Sequence, residues 1–306
     1  MANYAAIDCG TNSTRLLLTD EEFNVIERLS TVTRLGEGVD ESRTLKNDAI
    51  ERTINVINGY IKKIREHGSF TLRVAATSAV RDSKNREEFV SRVESVSGCN
   101  VDILTGDREA KLSFIGATSQ LNGEIGPYLI VDIGGGSTEI VKGCKVENVC
   151  GGSLDIGCVR ITEKYLKSDP PSSAELMNAK NAVNEVISHG ISRLLADSEP
   201  PNLVLALSGT ASALVMIRDK CEVYSRKAVH NQYLKLNEIK EIYSILQSLP
   251  LAKRRQYARM EAGRAEVILA GTLILIQVLD NLRVESCRVS ENDILDGLVL
   301  GMSKES

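Results

Sequence analysis

Ala6-Ile7-Asp8-Cys9-Gly10-Thr11-Asn12-Ser13-Thr14-Arg15-Leu16-Leu17 and Ile130-Val131-Asp132-Ile133-Gly134-Gly135-Gly136-Ser137-Thr138-Glu139-Ile140-Val141 follow one pattern, apolar-apolar-Asp-x-Gly-x-x-Ser-Thr-x-apolar-apolar. Each copy reads as a β-strand, a tight glycine-containing turn and a second strand. Asp132 stands 124 positions after Asp8, about one domain length. The repeat therefore predicts two related domains, 1–125 and 126–306, each opening with a hairpin whose turn faces a common cleft. The boundary is placed near Gly123–Pro127, where Gly and Pro cluster.

Around the repeat, the chain alternates helix and strand signals. Ile50, Ile54, Ile57, Ile61 and Ile64 form an apolar stripe at helical spacing, and Gly68 follows as a stop. A strand is expected over Thr71–Ala76, a helix over Ser83–Val96 and a strand over Val101–Leu104. Asp107 is expected to N-cap a helix running to about Gln120. In the second half, Pro170-Pro171-Ser172-Ser173 introduces a helix to Leu195, and Leu203–Leu207 reads as a buried strand. Helices are expected over Asn237–Gln247 and Ala258–Leu282, a strand over Arg288–Ser290 and a closing helix over Asp293–Met302.

Composition narrows the functional classes. A chain of 306 residues with 42% hydrophobic and 25% charged residues is that of an ordinary globular protein. The net charge of −4 argues against nonspecific nucleic-acid binding, and with no Trp and four Phe there is little for bases to stack on. The start, MANYAAIDCG, lacks the basic-then-apolar pattern of a secretory leader, and the most apolar stretch, Val267 to Leu282, is interrupted by Gln277 and Asp280. A cytoplasmic location away from the membrane is expected. The seven Cys form no CxxC pair, so free thiols are expected. The three His lie at no metal-ligand spacing, which disfavours a protein-bound zinc or iron site.

The two turns suggest phosphate chemistry. Glycines admit a ligand close to the backbone, and successive N–H groups in a turn form an anion-binding nest. An Asp beside a phosphate needs a cation between them, so Asp8 and Asp132 read as ligands of a Mg²⁺ that travels with the substrate. The alternative for a single such turn is an Asp that caps its own backbone. A third turn, Ser208-Gly209-Thr210-Ala211, precedes a helix, where phosphate binding and plain capping are equally served.

The finer pattern resembles the exopolyphosphatase and guanosine pentaphosphate phosphohydrolase family, within the actin, heat-shock ATPase and sugar-kinase superfamily. It is carried by IDCGTNSTRLLL from Ile7, VAATSAVRD from Val74, LTGDREAKLSF from Leu104, VDIGGGSTEIV from Val131, DIGCVRITEKYL from Asp155, SGTAS from Ser208, RAEVILAG from Arg264 and VSENDILDG from Val289. These blocks span nearly the whole chain, and the short actinobacterial-type members are most alike. The resemblance implies two actin-like (ribonuclease-H-like) α/β domains. It implies that Glu109 orients the attacking water and that Arg81 clamps the phosphate being cleaved. Gly10, Thr11, Asn12, Ser13, Arg15, Gly134, Gly135, Gly136, Ser137, Ser208, Gly209 and Thr210 are the implied phosphate ligands. Asp8, Asp132 and Glu139 are the implied Mg²⁺ ligands. Arg108 stands where many members have a second Glu.

The implied reaction is hydrolysis of the terminal phosphate of inorganic polyphosphate, with guanosine pentaphosphate as the alternative substrate and a homodimer as the implied assembly. The absence of a His-Asp dipeptide, part of a helical extension in many longer relatives, favours polyphosphate. An actin-fold ATPase or sugar kinase would need an adenosine pocket, and a non-catalytic phosphate sensor would not need Glu109, Asp132 and Glu139 together. Arg34, Arg160, Arg226, Lys227 and His230 are left between contact with a long polyanion and a solvated surface role.

Overall fold

The computed structural model describes residues 3–121, 124–196, 199–258 and 262–302. They divide into two compact units, residues 3–118 with 294–302, and the described residues of 119–293.

The first unit contains β1 (Asn3–Cys9), β2 (Ser13–Thr19), β3 (Val25–Val32), α1 (Val39–Ser42), α2 (Asn47–Glu66), β4 (Phe70–Ala76), α3 (Ser78–Arg81), α4 (Arg86–Ser97), β5 (Val101–Ile103) and α5 (Gly106–Thr118). Its sheet runs β3-β2-β1-β4-β5. β2 is antiparallel to both neighbours, and β4 is parallel to β1 and β5. This is the ribonuclease-H-like order of the actin fold. Alternation along β1 sends Ala5, Ile7 and Cys9 into a core with the Ile50–Ile64 stripe of α2, and Ala6 to the opposite face.

The second unit contains β6 (Tyr128–Ile133), β7 (Thr138–Gly143), β8 (Cys150–Leu154), α6 (Cys158–Tyr165), α7 (Ser173–Leu195), β9 (Leu203–Leu207), α8 (Ser208–Arg218), α9 (Arg226–Val229), β10 (Tyr233–Lys235), α10 (Leu236–Ser248), α11 (Leu251–Ala258), α12 (Ala262–Leu282) and β11 (Ser286–Val289). The order β8-β7-β6-β9-β11 repeats that of the first sheet, with β10 added antiparallel at the edge. The start of α7 is fixed by a capping box between Ser172 and Glu175. Part of α12, Gly263–Leu282, is long and apolar enough to cross a membrane by length and composition, and it lies mostly buried in the core of this unit.

Three expectations change. The last helix, α13 (Ile294–Met302), belongs to the first unit and not to a 126–306 domain. Its Ile294, Leu295, Leu298, Val299 and Met302 cover Ala6, Leu17 and Ala75, which β1, β2 and β4 leave on the second face of the first sheet, together with Leu104 just after β5. Gly297 makes this possible, because a Cβ there would stand 2.1 Å from the Leu112 carbonyl oxygen of α5. The chain leaves the first unit after Thr118, ahead of the expected boundary, of which Gly123 lies outside the described residues. Asp107 lies inside α5 and not at its cap, since the Thr105 hydroxyl accepts the Arg108 N–H at 3.3 Å. Of the helix expected over Ala258–Leu282, residues 259–261 lie outside the described residues.

Candidate active site

Each hairpin turn is gripped from one side by its carbonyl oxygens. In the second unit, Gly134 O accepts from Cys158 N (3.0 Å), and Gly135 O accepts from Val159 N (2.9 Å) and Arg160 N (3.1 Å). Gly136 O accepts from Arg160 Nε (2.9 Å). In the first unit, Thr11 O accepts from Gly36 N (2.9 Å), and Asn12 O accepts from Thr33 N (3.0 Å) and Arg34 N (2.9 Å). A planar trans peptide points its N–H opposite to its C=O. Tying back these carbonyls therefore turns the N–H groups of Gly135, Gly136 and Ser137, and of Asn12 and Ser13, away from the gripping segment, in the arrangement of an anion nest. Both turns close alike, Gly10 N donating to Ser13 O (3.1 Å) and Gly134 N to Ser137 O (3.0 Å).

The strands flanking the turns set different charges opposite the two Asp residues. Asp8 pairs in register with Arg15, and Asp132 with Glu139. Residues directly opposite in an antiparallel pair share a face. Arg15 consequently donates through Nε (3.0 Å) and Nη2 (2.6 Å) to Asp8 Oδ2. This guanidinium, expected on phosphate, is committed to the buried Asp8. Asp132 and Glu139, both buried, form a like-charged pair instead. Glu139 Oε1 accepts from Ser153 Oγ (2.7 Å), and Asp132 Oδ1 accepts from Ser208 Oγ. Two opposed carboxylates repel in the absence of a cation, and an all-oxygen set suits Mg²⁺. The residues present thus fit the expected ion, Asp132 and Glu139 better than the arginine-matched Asp8. Among the described residues no group of three His, Cys, Asp or Glu gathers to hold a metal by itself.

Glu109 and Arg81, 28 positions apart in sequence, meet in the first unit. Arg81 Nη1 donates to Glu109 Oε2 (3.2 Å) and to Leu104 O (3.1 Å). Arg81 ends the short α3 and Glu109 stands in the first turn of α5, so both project from held backbone. Thr11 Oγ1 lies 2.8 Å from Ser78 Oγ, which ties the first turn to the helix carrying Arg81. Arg108 is drawn off by a bidentate pair with Asp102, both contacts 2.6 Å, and Arg81 Nε also lies 3.5 Å from the Asp82 carboxylate.

At the third turn Ser208 has φ 70°, a left-handed conformation that a non-glycine residue holds only at a cost. Its hydroxyl is spent on Asp132. Thr210 packs against α12, where a Cβ on Gly271 would stand 2.3 Å from Thr210 Oγ1, so its hydroxyl is directed to the core and not to a ligand turn. Gly209 is covered by a residue that had no assigned role. A Cβ there would meet Arg264 Nη1 at 1.5 Å, so the guanidinium lies directly on the Gly209 backbone. Arg264 also faces Cys158, whose thiol burial pushes up to about 11 against the opposing pull of this cation. A cation in the first turn of α12 opposes the helix dipole, and that misplacement was the available signal. Arg160 serves the second turn through its backbone and Nε. Arg226 reaches Glu291 O (3.0 Å) and Asn292, and His230 Nδ1 accepts from Glu291 N (3.0 Å).

Known proteins resemble this chain in sequence and fold. The model of the Ppx/GppA phosphatase family matches residues 17–306, beginning just after the first turn. Exopolyphosphatase 2 of Mycobacterium tuberculosis is 35% identical over 319 residues, covering 99% of each chain. A solved exopolyphosphatase-like protein superposes with a TM-score of 0.92 at 32% identity, covering 99% of each chain. The Ppx/GppA member of Aquifex aeolicus gives 0.81 at 31% identity, covering 100% of this chain and 99% of its own. With two repeated hairpin turns, a Glu–Arg pair and this agreement over its length, the chain belongs to the Ppx/GppA phosphatase family.

Proposed function

We propose that this protein is an exopolyphosphatase that hydrolyses the terminal phosphate of inorganic polyphosphate. The observation that carries the reading is the Arg81–Glu109 pair, 3.2 Å apart and held by two helix ends. Phosphoryl transfer asks chiefly for a positioned nucleophile and offset of the oxygen charges. Glu109 accepts a proton of the attacking water and aims its lone pair at phosphorus. Arg81, within reach of the same point, donates to the oxygens of the group being cleaved. The turn amides hold phosphate oxygens, and Arg264 adds a cation beside Gly209. Asp132 and Glu139 hold Mg²⁺, which when bound offsets charge on the phosphate oxygens.

The test is phosphate release from long-chain polyphosphate, short-chain polyphosphate, guanosine pentaphosphate and ATP, each with Mg²⁺ and with EDTA. Mg²⁺-dependent release from polyphosphate is expected, falling by about 10²–10⁴-fold in Glu109→Gln. Wild-type turnover in that variant would remove Glu109 from its role. Release chiefly from the guanosine substrate would reassign the substrate while keeping the chemistry.

A further inference from the structure

Beyond the turn itself, the second unit contains a chain of polar contacts that leads from Asp132 to the segment after β11. Ser208 Oγ donates to Asp132 Oδ1. Ser212, one turn later on α8, has its hydroxyl in reach of two acceptors, the Ser208 carbonyl at 3.2 Å and Glu291 Oε1. The other carboxylate oxygen of Glu291 accepts from the Tyr224 hydroxyl. The backbone on both sides of this carboxylate is fixed. Glu291 N donates to His230 Nδ1 at 3.0 Å, Glu291 O accepts from Arg226 Nη1 at 3.0 Å, and Asn292 N donates to Ser290 Oγ at 3.1 Å. Glu291 is thus delivered to α8 by three separate anchors.

A serine hydroxyl has one proton, and of its two acceptors here the charged one is stronger. Glu291 therefore keeps the Ser212 proton off the Ser208 carbonyl. Were the charge removed, Ser212 would fall back on that carbonyl four residues earlier, a bond that bends helices at the turn where it forms. The residue it would pull is Ser208, which already sits at φ 70° and whose hydroxyl orients Asp132.

We propose that Glu291 is a positioning residue for the Asp132 carboxylate, acting through Ser212 and the left-handed Ser208, and so tunes the divalent-cation affinity of the second turn. This rests on the assignment of Asp132 to the cation. Outer partners of a metal ligand change affinity by about 10–100-fold when removed, and this contact acts through two side chains, so the lower end applies.

The experiment is a titration of the full-length protein with Mn²⁺, free Mn²⁺ being read by EPR in the absence of substrate, alongside thermal unfolding. Glu291→Gln should weaken Mn²⁺ binding about 10-fold with the fold retained. The double variant Glu291→Gln, Ser212→Ala should bind no worse than Ser212→Ala alone, because the back-bond can no longer form. Tyr224→Phe, at an exposed position, should shift affinity in the same direction by less, and serves if Glu291→Gln does not fold. Unchanged Mn²⁺ affinity in Glu291→Gln and Tyr224→Phe, or additive losses in the double variant, would overturn the proposal. Asp132→Asn separates the two levels. If it leaves Mn²⁺ binding intact, the cation assignment itself fails. If it abolishes binding while Glu291→Gln is silent, only the role of Glu291 falls.

Discussion

Gly157→Ala should damage the second hairpin turn without touching any of the proposed ligands. Gly157 has φ −147° and ψ 163°, extended backbone open to any residue, so the substitution carries no dihedral penalty. Its cost is contact. An added Cβ would lie 2.3 Å from the Gly135 oxygen, 2.4 Å from the Gly135 carbonyl carbon and 2.6 Å from the Gly136 carbonyl carbon. All three are backbone atoms, which cannot swing aside as a side-chain end does. Relief to even the tightest contact a Cβ makes, 3.0 Å, asks α6 and the turn to separate by roughly 0.7 Å, against a packed interior. That separation lengthens the bonds from Cys158, Val159 and Arg160 to Gly134 and Gly135. Overpacking of this kind costs about 1–3 kcal/mol, and weakening three hydrogen bonds adds to it, giving about 2–4 kcal/mol in all. For a unit of this size the melting temperature should fall by about 5–10 °C. Displacement of the nest should lower kcat/KM for polyphosphate by about 10²-fold, since an ångström of misplacement has that effect. Calorimetry and phosphate release measure both. A variant with wild-type melting and kcat/KM within twofold would show that α6 can retreat without moving the turn, and would refute the claim that α6 shapes it.

Gly209→Ala gives the contrasting outcome, because the colliding atom is the tip of Arg264. The guanidinium should move off, raising KM for polyphosphate several-fold while the melting temperature shifts by no more than about 2 °C. Glu175, which accepts from the Ser168 hydroxyl and the Ser172 N–H, is held at about 2, below its ordinary value near 4.5. A depressed carboxylate stabilises above its unfolded pKa and loses that contribution as pH falls toward its folded one. The melting temperatures of wild type and Glu175→Gln should therefore differ above pH 5 and converge as pH falls from about 4.5 to 2. Cysteine labelling of the native protein should reach the exposed Cys144 and Cys150. Cys9, Cys158 and Cys287 should react only on unfolding, since burial raises all three thiols, Cys287 to about 12.

The repeated hairpins, their turns and the stripe of α2 were legible in the sequence because each is local. A strand-turn-strand places Asp132 opposite Glu139 and Asp8 opposite Arg15 within a span of eight residues, and periodicity of 2.0 or 3.6 sets which side chains face the core. Even there, the resemblance implied Arg15 as a phosphate ligand, and the structure pairs its guanidinium with Asp8 on the shared sheet face.

What the sequence by itself determined is the class of fold, the family and the chemical content of the turns, since glycine spacing and residue type act over a few bonds. Only the tertiary structure decided that α13 closes the first unit, that Arg81 meets Glu109 across 28 positions, that Arg264 covers Gly209 and that Glu291 reaches Ser212 on α8. These pairings depend on which surfaces the sheet leaves uncovered and on how closely two backbones approach at a glycine. Both follow from packing of the folded chain, and no period in the sequence encodes them.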